Sequence, residues 1–251
     1  MQSQVLRADA PAVTAPRLAR DAWLSNQLGK SAFHLTGALA NAGSWIDEVR
    51  EQLAAPSLFA DVKIAVDDIC GAARASELGF ALVDTNLRFS AARSTISVPA
   101  MPMVGFAKAD MADAIGAIAE HAFVFDRFHR DPRTLAYAGT IKREWAKNFF
   151  AGHRGDWMIV ASRAGEPIGF LQLLRSPSDE LVIDLIAVET ASTGKGIAQA
   201  MIGFAARNCD VAGPIVVGTQ VANTRSIRLY EHLGFRLQSA QYVFHHHGGS
   251  K

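Results

Sequence analysis

A short loop with two glycines around a lysine is the first feature of this sequence with clear chemical potential. Residues 181–208 read LVIDLIAVETASTGKGIAQAMIGFAARN, so an apolar run passes into a loop of small residues and then into a long apolar segment. Backbone N–H groups at the start of a helix lack partners within the helix, and the helix dipole adds partial positive charge there. Because glycines let an anion approach the backbone closely, the loop predicts a phosphate site, with a plain tight turn as the alternative.

The two common nucleotide-binding loops do not fit this stretch. A P-loop needs a Gly-Lys-Ser/Thr ending, whereas Lys195 here precedes Gly196. The dinucleotide fingerprint G-x-G-x-x-G begins correctly with Gly194 and Gly196, but Gln199 stands where its third glycine is required. Both readings are therefore excluded.

A second constellation follows in the segment VANTRSIRLYEHLGF, residues 221–235. Its polar residues include Asn223, Ser226 three residues later and Tyr230 four residues after that. If this segment is a helix, the seven residues from Asn223 to Tyr230 turn about 700° and rise roughly 10 Å, so both lie on one stripe. A long thin ligand could follow that stripe. The alternatives are that Asn223 is a helix N-cap and that Tyr230 is a core aromatic.

Together the two motifs resemble those of the GNAT acetyltransferase superfamily. The loop resembles the family's Q/R-x-x-G-x-G/A pattern over residues 193–198, although Thr193 replaces the opening Gln or Arg, and residues 223–230 resemble its N-x-x-S/A-x-x-x-Y pattern. The resemblance implies acetyl-CoA as co-substrate and direct acetyl transfer to an amine, with Tyr230 as the catalytic partner of the leaving thiolate. It also implies that a backbone N–H near Ala187 or Val188 stabilises the oxyanion. It assigns coenzyme contacts to Ile186, Ala187, Val188, Thr193, Gly194, Lys195, Gly196, Ile197, Ala198, Asn223, Ser226 and Tyr230.

Four further segments narrow the resemblance to bacterial amino-sugar N-acetyltransferases, the group that includes TDP-fucosamine acetyltransferase. These segments are DRFHRDPR (126–133), KREWAKNFFAGHRGD (142–156), IDLIAV (183–188) and VGTQVAN (217–223). The implied acceptor is the amine of a nucleotide-linked amino-deoxy sugar. An enzyme acting on another small amine or a protein N-terminus, and a catalytically silent CoA-binding module, remain as alternatives.

The resemblance implies that the acceptor binds near the loop of residues 128–133, and one carboxylate within an apolar strand is a further candidate. His129, Arg130 and Arg133 are candidates because arginines suit a diphosphate, and Arg154 is a further one. Asp184 interrupts an apolar run, so its carboxylate must be either paired or directed into the cleft, where it would act as a base or amine anchor.

The run of three histidines at 245–247 raises the question of a metal site. Alternate residues of a strand face opposite sides, so only His245 and His247 could share a ligand. With no carboxylate or cysteine close by in the sequence, no metal is expected, and a polar strand end is the simpler interpretation.

Composition excludes several classes of protein. The net charge is +1, so no bulk electrostatic attraction to nucleic acid or to an anionic membrane is expected. Cys70 and Cys209 are the two cysteines, too few for a disulfide framework and suited to a reducing compartment. The N-terminal residues lack an apolar signal region, and no apolar run is long enough to cross a bilayer. We expect a cytoplasmic protein with a small-molecule partner; whether it is a monomer or a homodimer stays open.

The pattern of elements predicts an α+β fold. It indicates a GNAT-like mixed central sheet flanked by helices over residues 99–251, a smaller N-terminal α/β domain over 21–98, and a flexible lead-in over 1–20. Residues 77–89 (ELGFALVDTNLRF) match residues 232–244 (HLGFRLQSAQYVF) at five positions without gaps. Either the N-terminal domain is a degenerate partial copy of the C-terminal fold, or two helix–glycine–strand junctions have converged.

Overall fold

The computed structural model describes residues 15–41 and 43–249, and within them ten strands form one mixed sheet. The sheet order is β1-β2-β3-β10-β4-β9-β8-β7-β6-β5, with helices against it, so the predicted α+β fold is confirmed. The strands are β1 (Arg17–Arg20), β2 (Ser31–Thr36), β3 (Leu58–Ala65), β4 (Ala81–Ala91), β5 (Val104–Phe106), β6 (Trp157–Arg163), β7 (Glu166–Arg175), β8 (Leu181–Val188), β9 (Ile215–Gln220) and β10 (Arg236–His247).

Eight α-helices accompany these strands within the described residues. They are α1 (Ala22–Leu28), α2 (Trp45–Leu53), α3 (Ile69–Glu77), α4 (Ala112–Ala122), α5 (Arg127–Arg130), α6 (Leu135–Lys147), α7 (Ile197–Asn208) and α8 (Thr224–His232). Helix α5 is a correction, because residues 128–133 were expected to form a loop. Asp126 starts it by accepting a hydrogen bond from the N–H of Phe128 at 3.0 Å.

The two predicted domains share this sheet. Strand β4, from the N-terminal part, lies between β10 and β9 of the C-terminal part, and β10 in turn pairs with β3. The expected boundary at residues 98–99 falls between β4 and β5. The predicted lead-in is wrong for Arg17–Arg20, which form β1 and pair with β2; residues 1–14 lie outside the described part.

The two matching segments have the same local geometry. Gly79 (φ 84°) lies two residues after the end of α3 and leads into β4, and Gly234 (φ 86°) lies two residues after the end of α8 and leads into β10. The residue after each glycine donates its N–H to a carbonyl five residues earlier in the helix. Phe80 donates to Ala75 and Phe235 donates to Tyr230, both at 3.0 Å. A left-handed glycine explains the similarity at both sites. That the N-terminal part is a copy stays a prediction.

A β-bulge in β8 controls which side chains face which helices. The register with β7 shifts between Ile183, opposite Leu173, and Leu185, opposite Gln172, so Asp184 is the extra residue. Ile183 consequently packs in the core that contains α7, whereas Leu185 packs in the core formed by α4 and α6. The bulge thus directs the Asp184 carboxylate towards α6, where it bonds the Trp145 indole.

A two-residue turn joins β6 to β7 at Ala164 (φ 52°) and Gly165 (φ 91°). Both residues have a left-handed backbone, as the favoured two-residue hairpin turns require, and Glu166 already belongs to β7. Ser44 precedes α2, and its side chain makes no capping hydrogen bond.

Candidate active site

A cavity of about 530 Å³ opens where two parallel strands separate. Strands β8 and β9 pair only from Leu181↔Ile215 to Ile183↔Val217, and beyond that point they diverge. Residues 183–188 of β8 and 217–220 of β9 then form facing walls. We call this space the first cavity.

The open edge of β8 presents a specific backbone N–H to the first cavity. The N–H of Glu189 bonds the carbonyl of Ile168 in β7 at 2.9 Å. Because successive N–H groups of a strand point to opposite sides, the N–H of Val188 points away from β7, towards the side from which β9 has diverged. The sequence left two candidates for the oxyanion N–H, Ala187 and Val188. Of these, Val188 is the residue whose N–H group points into the gap between β8 and β9.

The glycine loop forms the mouth of the first cavity. Gly194 and Gly196 have φ angles of 76° and 75°, and the first hydrogen bond of α7 runs from the N–H of Ala200 to the carbonyl of Gly196 at 2.9 Å. The three preceding N–H groups, of residues 197–199, thus have no partner within the helix, and these residues line the cavity. A Cβ on Gly196 would come no closer than 3.5 Å to another atom, so the glycine serves the backbone conformation.

Two residues of this loop differ from expectation. The N–H of Thr193 is not free, because it bonds the carbonyl of Thr190 at 3.3 Å. The Lys195 side chain is absent from the cavity wall, and its ammonium donates to the carbonyl of Ala191 at 3.0 Å. The lysine between the glycines therefore ties the loop to the preceding turn.

Helix α8 brings the second motif to the same space. Asn223, Ser226 and Tyr230 all line the first cavity. Asn223 is also the N-cap of α8, its Oδ1 accepting from the N–H of Ser226 at 3.1 Å, so the capping and lining interpretations both hold. Tyr230 is 2% exposed, and its ring packs against Phe89 and Phe235 with centroids 6.2 and 5.5 Å away. Burial raises the pKa of the Tyr230 phenol above its usual value, so the hydroxyl retains its proton.

Asp184 lines the first cavity but is fully engaged. Its carboxylate accepts from Arg154 at 2.6 and 2.7 Å, from the indole N–H of Trp145 at 2.9 Å and from Gln172 at 3.2 Å. Bidentate pairing with Arg154 satisfies both oxygens. Asp184 is thus held as a paired carboxylate, which is one of the two alternatives that the sequence left.

The other predicted acceptor residues do not reach the first cavity. His129 contacts Asp126 at 2.6 Å, while Arg130 and Arg133 are exposed and absent from the cavity wall. The reason is the short helix α5, which turns these side chains away and leaves Asp126 as the residue at the wall.

Sequence reasoning missed two polar groups at this site. Lys142 lines the first cavity at 7% exposure, its ammonium 5.1 Å from the ring centre of Phe123 and 4.9 Å from that of Trp145. Burial lowers its pKa. The sequence feature that could have identified Lys142 is its position on the buried face of α6, beside Ile141 and one turn after Ala138. Ser192, just before the loop, is buried, and its hydroxyl has no hydrogen-bond partner among the described residues.

The histidine run is a hydrogen-bonded cluster. His245 Nδ1 and His247 Nε2 lie 2.8 and 2.7 Å from one oxygen of Asp131, while His246 faces the other side and contacts the carbonyls of Gly79 and Leu53. The alternation was predicted correctly, whereas the carboxylate of Asp131, which is distant in the sequence, was not expected. Asp131, His245 and His247 are of metal-ligating type and near one another. Their separations are those of hydrogen bonds.

Comparisons with known proteins agree with this geometry. Residues 115–235 match the profile of the Acetyltransferase (GNAT) family. A solved structure from Staphylococcus epidermidis ATCC 12228, described as a functionally unknown conserved protein, superposes with a TM-score of 0.66 at 16% identity, covering 94% of this chain and 93% of that one. A GCN5-related N-acetyltransferase from Kribbella flavida gives a TM-score of 0.60 at 14% identity, covering 87% and 82%. Residues 115–235 thus resemble a GNAT acetyltransferase domain in sequence, and the solved structures share its fold.

A curated relative is more similar in sequence. The spore coat polysaccharide biosynthesis protein SpsD of Bacillus subtilis (strain 168) is 36% identical over 136 residues, which cover 53% of this chain and 46% of that protein. The match therefore spans about half of each chain.

In the part of this chain that the structure describes, no helix has the length and apolar character needed to cross a membrane.

Proposed function

We propose that this protein is an acetyl-CoA-dependent N-acetyltransferase that acts directly on the amine of a nucleotide-linked amino-deoxy sugar. One observation carries the proposal: the glycine loop, the open edge of β8 and Tyr230 all face a single cavity. These are the parts that bind an anion, orient an extended chain and meet a leaving thiolate, respectively.

The residues of the first cavity fit the coenzyme. The free N–H groups of Ile197 and Ala198 suit its diphosphate, and the unpartnered hydroxyl of buried Ser192 offers a further donor beside them. Bound there, acetyl-CoA supplies an activated thioester. The N–H of Val188 would donate to the thioester oxygen as it gains charge.

Tyr230 acts in this proposal mainly as a hydrogen-bond donor to the departing sulfur. An unperturbed phenol has a pKa of about 10 against about 8.5 for a thiol, so full proton transfer is uphill by about 2 kcal/mol. Burial raises the pKa of Tyr230 further. The protonated phenol is therefore available throughout the neutral range to stabilise a thiolate.

The acceptor amine must lose a proton before or during attack. Asp184 is committed to Arg154, so it is better suited to hold the wall of the cavity than to take this proton. Lys142 has no ion pair with a described residue, and burial lowers its pKa. We therefore assign proton acceptance to Lys142.

The substrate class is supported by the relative and by the sequence resemblance. The printed name of SpsD connects that protein to polysaccharide biosynthesis.

The two cysteines are both unpaired, which supports a reducing compartment such as the cytoplasm.

The test is to measure CoA release with acetyl-CoA and a panel of TDP- and UDP-linked amino sugars. A polyamine and a peptide N-terminus serve as comparison acceptors. The proposal expects turnover with at least one nucleotide sugar and formation of its N-acetyl product. Preferred turnover of the polyamine or peptide would support the other enzyme class. Acetyl-CoA binding without turnover of any acceptor would support a silent module.

A further inference from the structure

A second cavity lies in the N-terminal half of the sheet, outside the coenzyme site. Strands β2 and β3 pair in parallel from Ser31↔Leu58 to His34↔Asp61 and then separate, as β8 and β9 do. A cavity of about 800 Å³ opens there, with residues 34–37 along one side. The first two strands outward from β10 are β3 and β2, and the first two outward from β4 are β9 and β8. The second cavity therefore lies between the strands that correspond to those around the first cavity.

Basic side chains outnumber carboxylates on the walls of the second cavity. Lys63, Arg127 and Arg154 line it, together with the carboxylates of Asp21 and Asp61. Lys63 is exposed and has no hydrogen bond to a described residue. A cleft with such an excess of positive charge attracts anions.

The two carboxylates are neutralised within the protein. His34 lies between them, with Nε2 at 2.9 Å from Asp21 and Nδ1 at 2.8 Å from Asp61, and Arg127 also contacts Asp61. The hydrogen bond with Asp61 raises the pKa of His34, so the imidazole stays protonated to higher pH. The carboxylates therefore position His34 and Arg127 rather than repel an anionic ligand.

The second cavity also has an aromatic wall. Trp23 and Trp145 line it in edge-to-face contact, with ring centroids 5.7 Å apart and planes at 76°. Indole rings offer a flat surface on which a nucleobase can stack, in addition to apolar contact area. Positive charge beside half-buried indoles that line the cavity is the combination that suits a nucleotide.

The Arg154–Asp184 ion pair lies between the two cavities. Arg154 lines the second cavity, and its guanidinium binds Asp184, which lines the first. Trp145 belongs to the same partition, because it lines the second cavity and donates to Asp184. The second cavity therefore borders the wall of the first cavity at Asp184.

We propose that the second cavity binds the nucleoside diphosphate half of the acceptor. Lys63 and Arg127 face its phosphates and Trp23 faces its base. The sugar extends past the Arg154–Asp184 pair so that its amine enters the first cavity. This assignment rests on the proposed function, which leaves the location of the nucleotide open.

The test compares Lys63→Glu with Lys108→Glu, an exposed lysine that lines neither cavity. The binding of TDP and UDP is measured by calorimetry, with and without CoA. The KM values for acetyl-CoA and for the nucleotide-linked amino sugar are measured on the same variants. We expect Lys63→Glu to weaken nucleoside diphosphate binding and to raise the KM for the nucleotide sugar, each about tenfold, because a phosphate contact is lost and a repulsion gained. The KM for acetyl-CoA should not change, and Lys108→Glu should match the wild type.

Separate results would overturn the site and the function. If TDP and UDP do not bind, bind only in competition with CoA, or bind Lys63→Glu as tightly as the wild type, the second cavity is not the nucleotide site. That result leaves any measured turnover of nucleotide sugars intact. If TDP or UDP binds alongside CoA and is weakened by Lys63→Glu, while no nucleotide sugar is acetylated, the site stands and the proposed acceptor is wrong.

Discussion

Removing the hydroxyl of Tyr230 is the most informative change in the first cavity. In Tyr230→Phe the ring that packs against Phe89 and Phe235 is retained, and the lost hydroxyl has no hydrogen bond to a described residue. We therefore expect the melting temperature to stay nearly constant. The substitution removes one function only, the donation of a hydrogen bond to the leaving thiolate.

The size of the effect follows from that bond. A hydrogen bond to a charged group contributes about 1.5–3 kcal/mol, which corresponds to roughly a 10- to 150-fold decrease in kcat. The KM for acetyl-CoA should change less than about twofold, because the thiolate exists only after the ground state. Since burial raises the pKa of Tyr230, the wild-type rate should show no loss from ionisation of this phenol in the neutral range.

The assay is the initial rate of CoA thiol release at saturating acceptor, together with a thermal melt. Tyr137→Phe is the matched control, because this tyrosine is 40% exposed on α6 and lines neither cavity. Wild-type kcat in Tyr230→Phe would refute the role of the phenol. A decrease in kcat together with a large decrease in melting temperature would indicate a packing role instead.

Four further changes test other parts of the account. Gly196→Ala should raise the KM for acetyl-CoA about five- to tenfold, since a left-handed alanine costs about 1–2 kcal/mol at the anion loop, whereas Gly152→Ala (φ 71°, open space) carries the same strain with no effect on KM. Lys142→Met keeps the stem of the side chain and should lower kcat about 100-fold, and unchanged kcat in initial-rate measurements would exclude it as proton acceptor. Asp184→Asn should lower the free energy of unfolding in urea by about 1.5–3 kcal/mol, and an unchanged midpoint would contradict the importance of its pairing. Burial raises the pKa of Asp84 to about 6, above an unfolded value of about 3.9, so stability is lost as pH rises through 6. Asp84→Asn should therefore raise the melting temperature at pH 8 and leave it unchanged at pH 4, and the opposite order would contradict that shift.

The features that the sequence predicts best are local ones. The left-handed glycines at 194 and 196 and the Asn223–Tyr230 spacing each depend on a few neighbouring residues, and the structure places all of them around the first cavity. Such signals survive in a single sequence because turn and helix geometry are set over one or two turns of chain.

The features that the sequence could not predict depend on distant pairs. Asp131 meets His245 and His247 across 114 and 116 residues, and Arg127 meets Asp61 across 66. These contacts follow from the insertion of β10 between β3 and β4, for which no local pattern exists. The same long-range topology creates the second cavity.

The bulge at Asp184 was predictable in part from local sequence. A carboxylate within an apolar strand indicated a special position, but its partners Arg154 and Trp145 lie 30 and 39 residues away. Whether the side chain is paired or free is decided by the shift in register, which changes the face of the sheet. Composition alone could not distinguish those outcomes.

The structure of a complex with CoA and an acetylated product tests the central claim most directly. We expect the diphosphate against the N–H groups of residues 197–199 and the sulfur within hydrogen-bonding reach of the Tyr230 hydroxyl. A coenzyme bound outside the gap between β8 and β9, or a Tyr230 hydroxyl directed away from the sulfur, would contradict the assignment of this cavity to acetyl transfer.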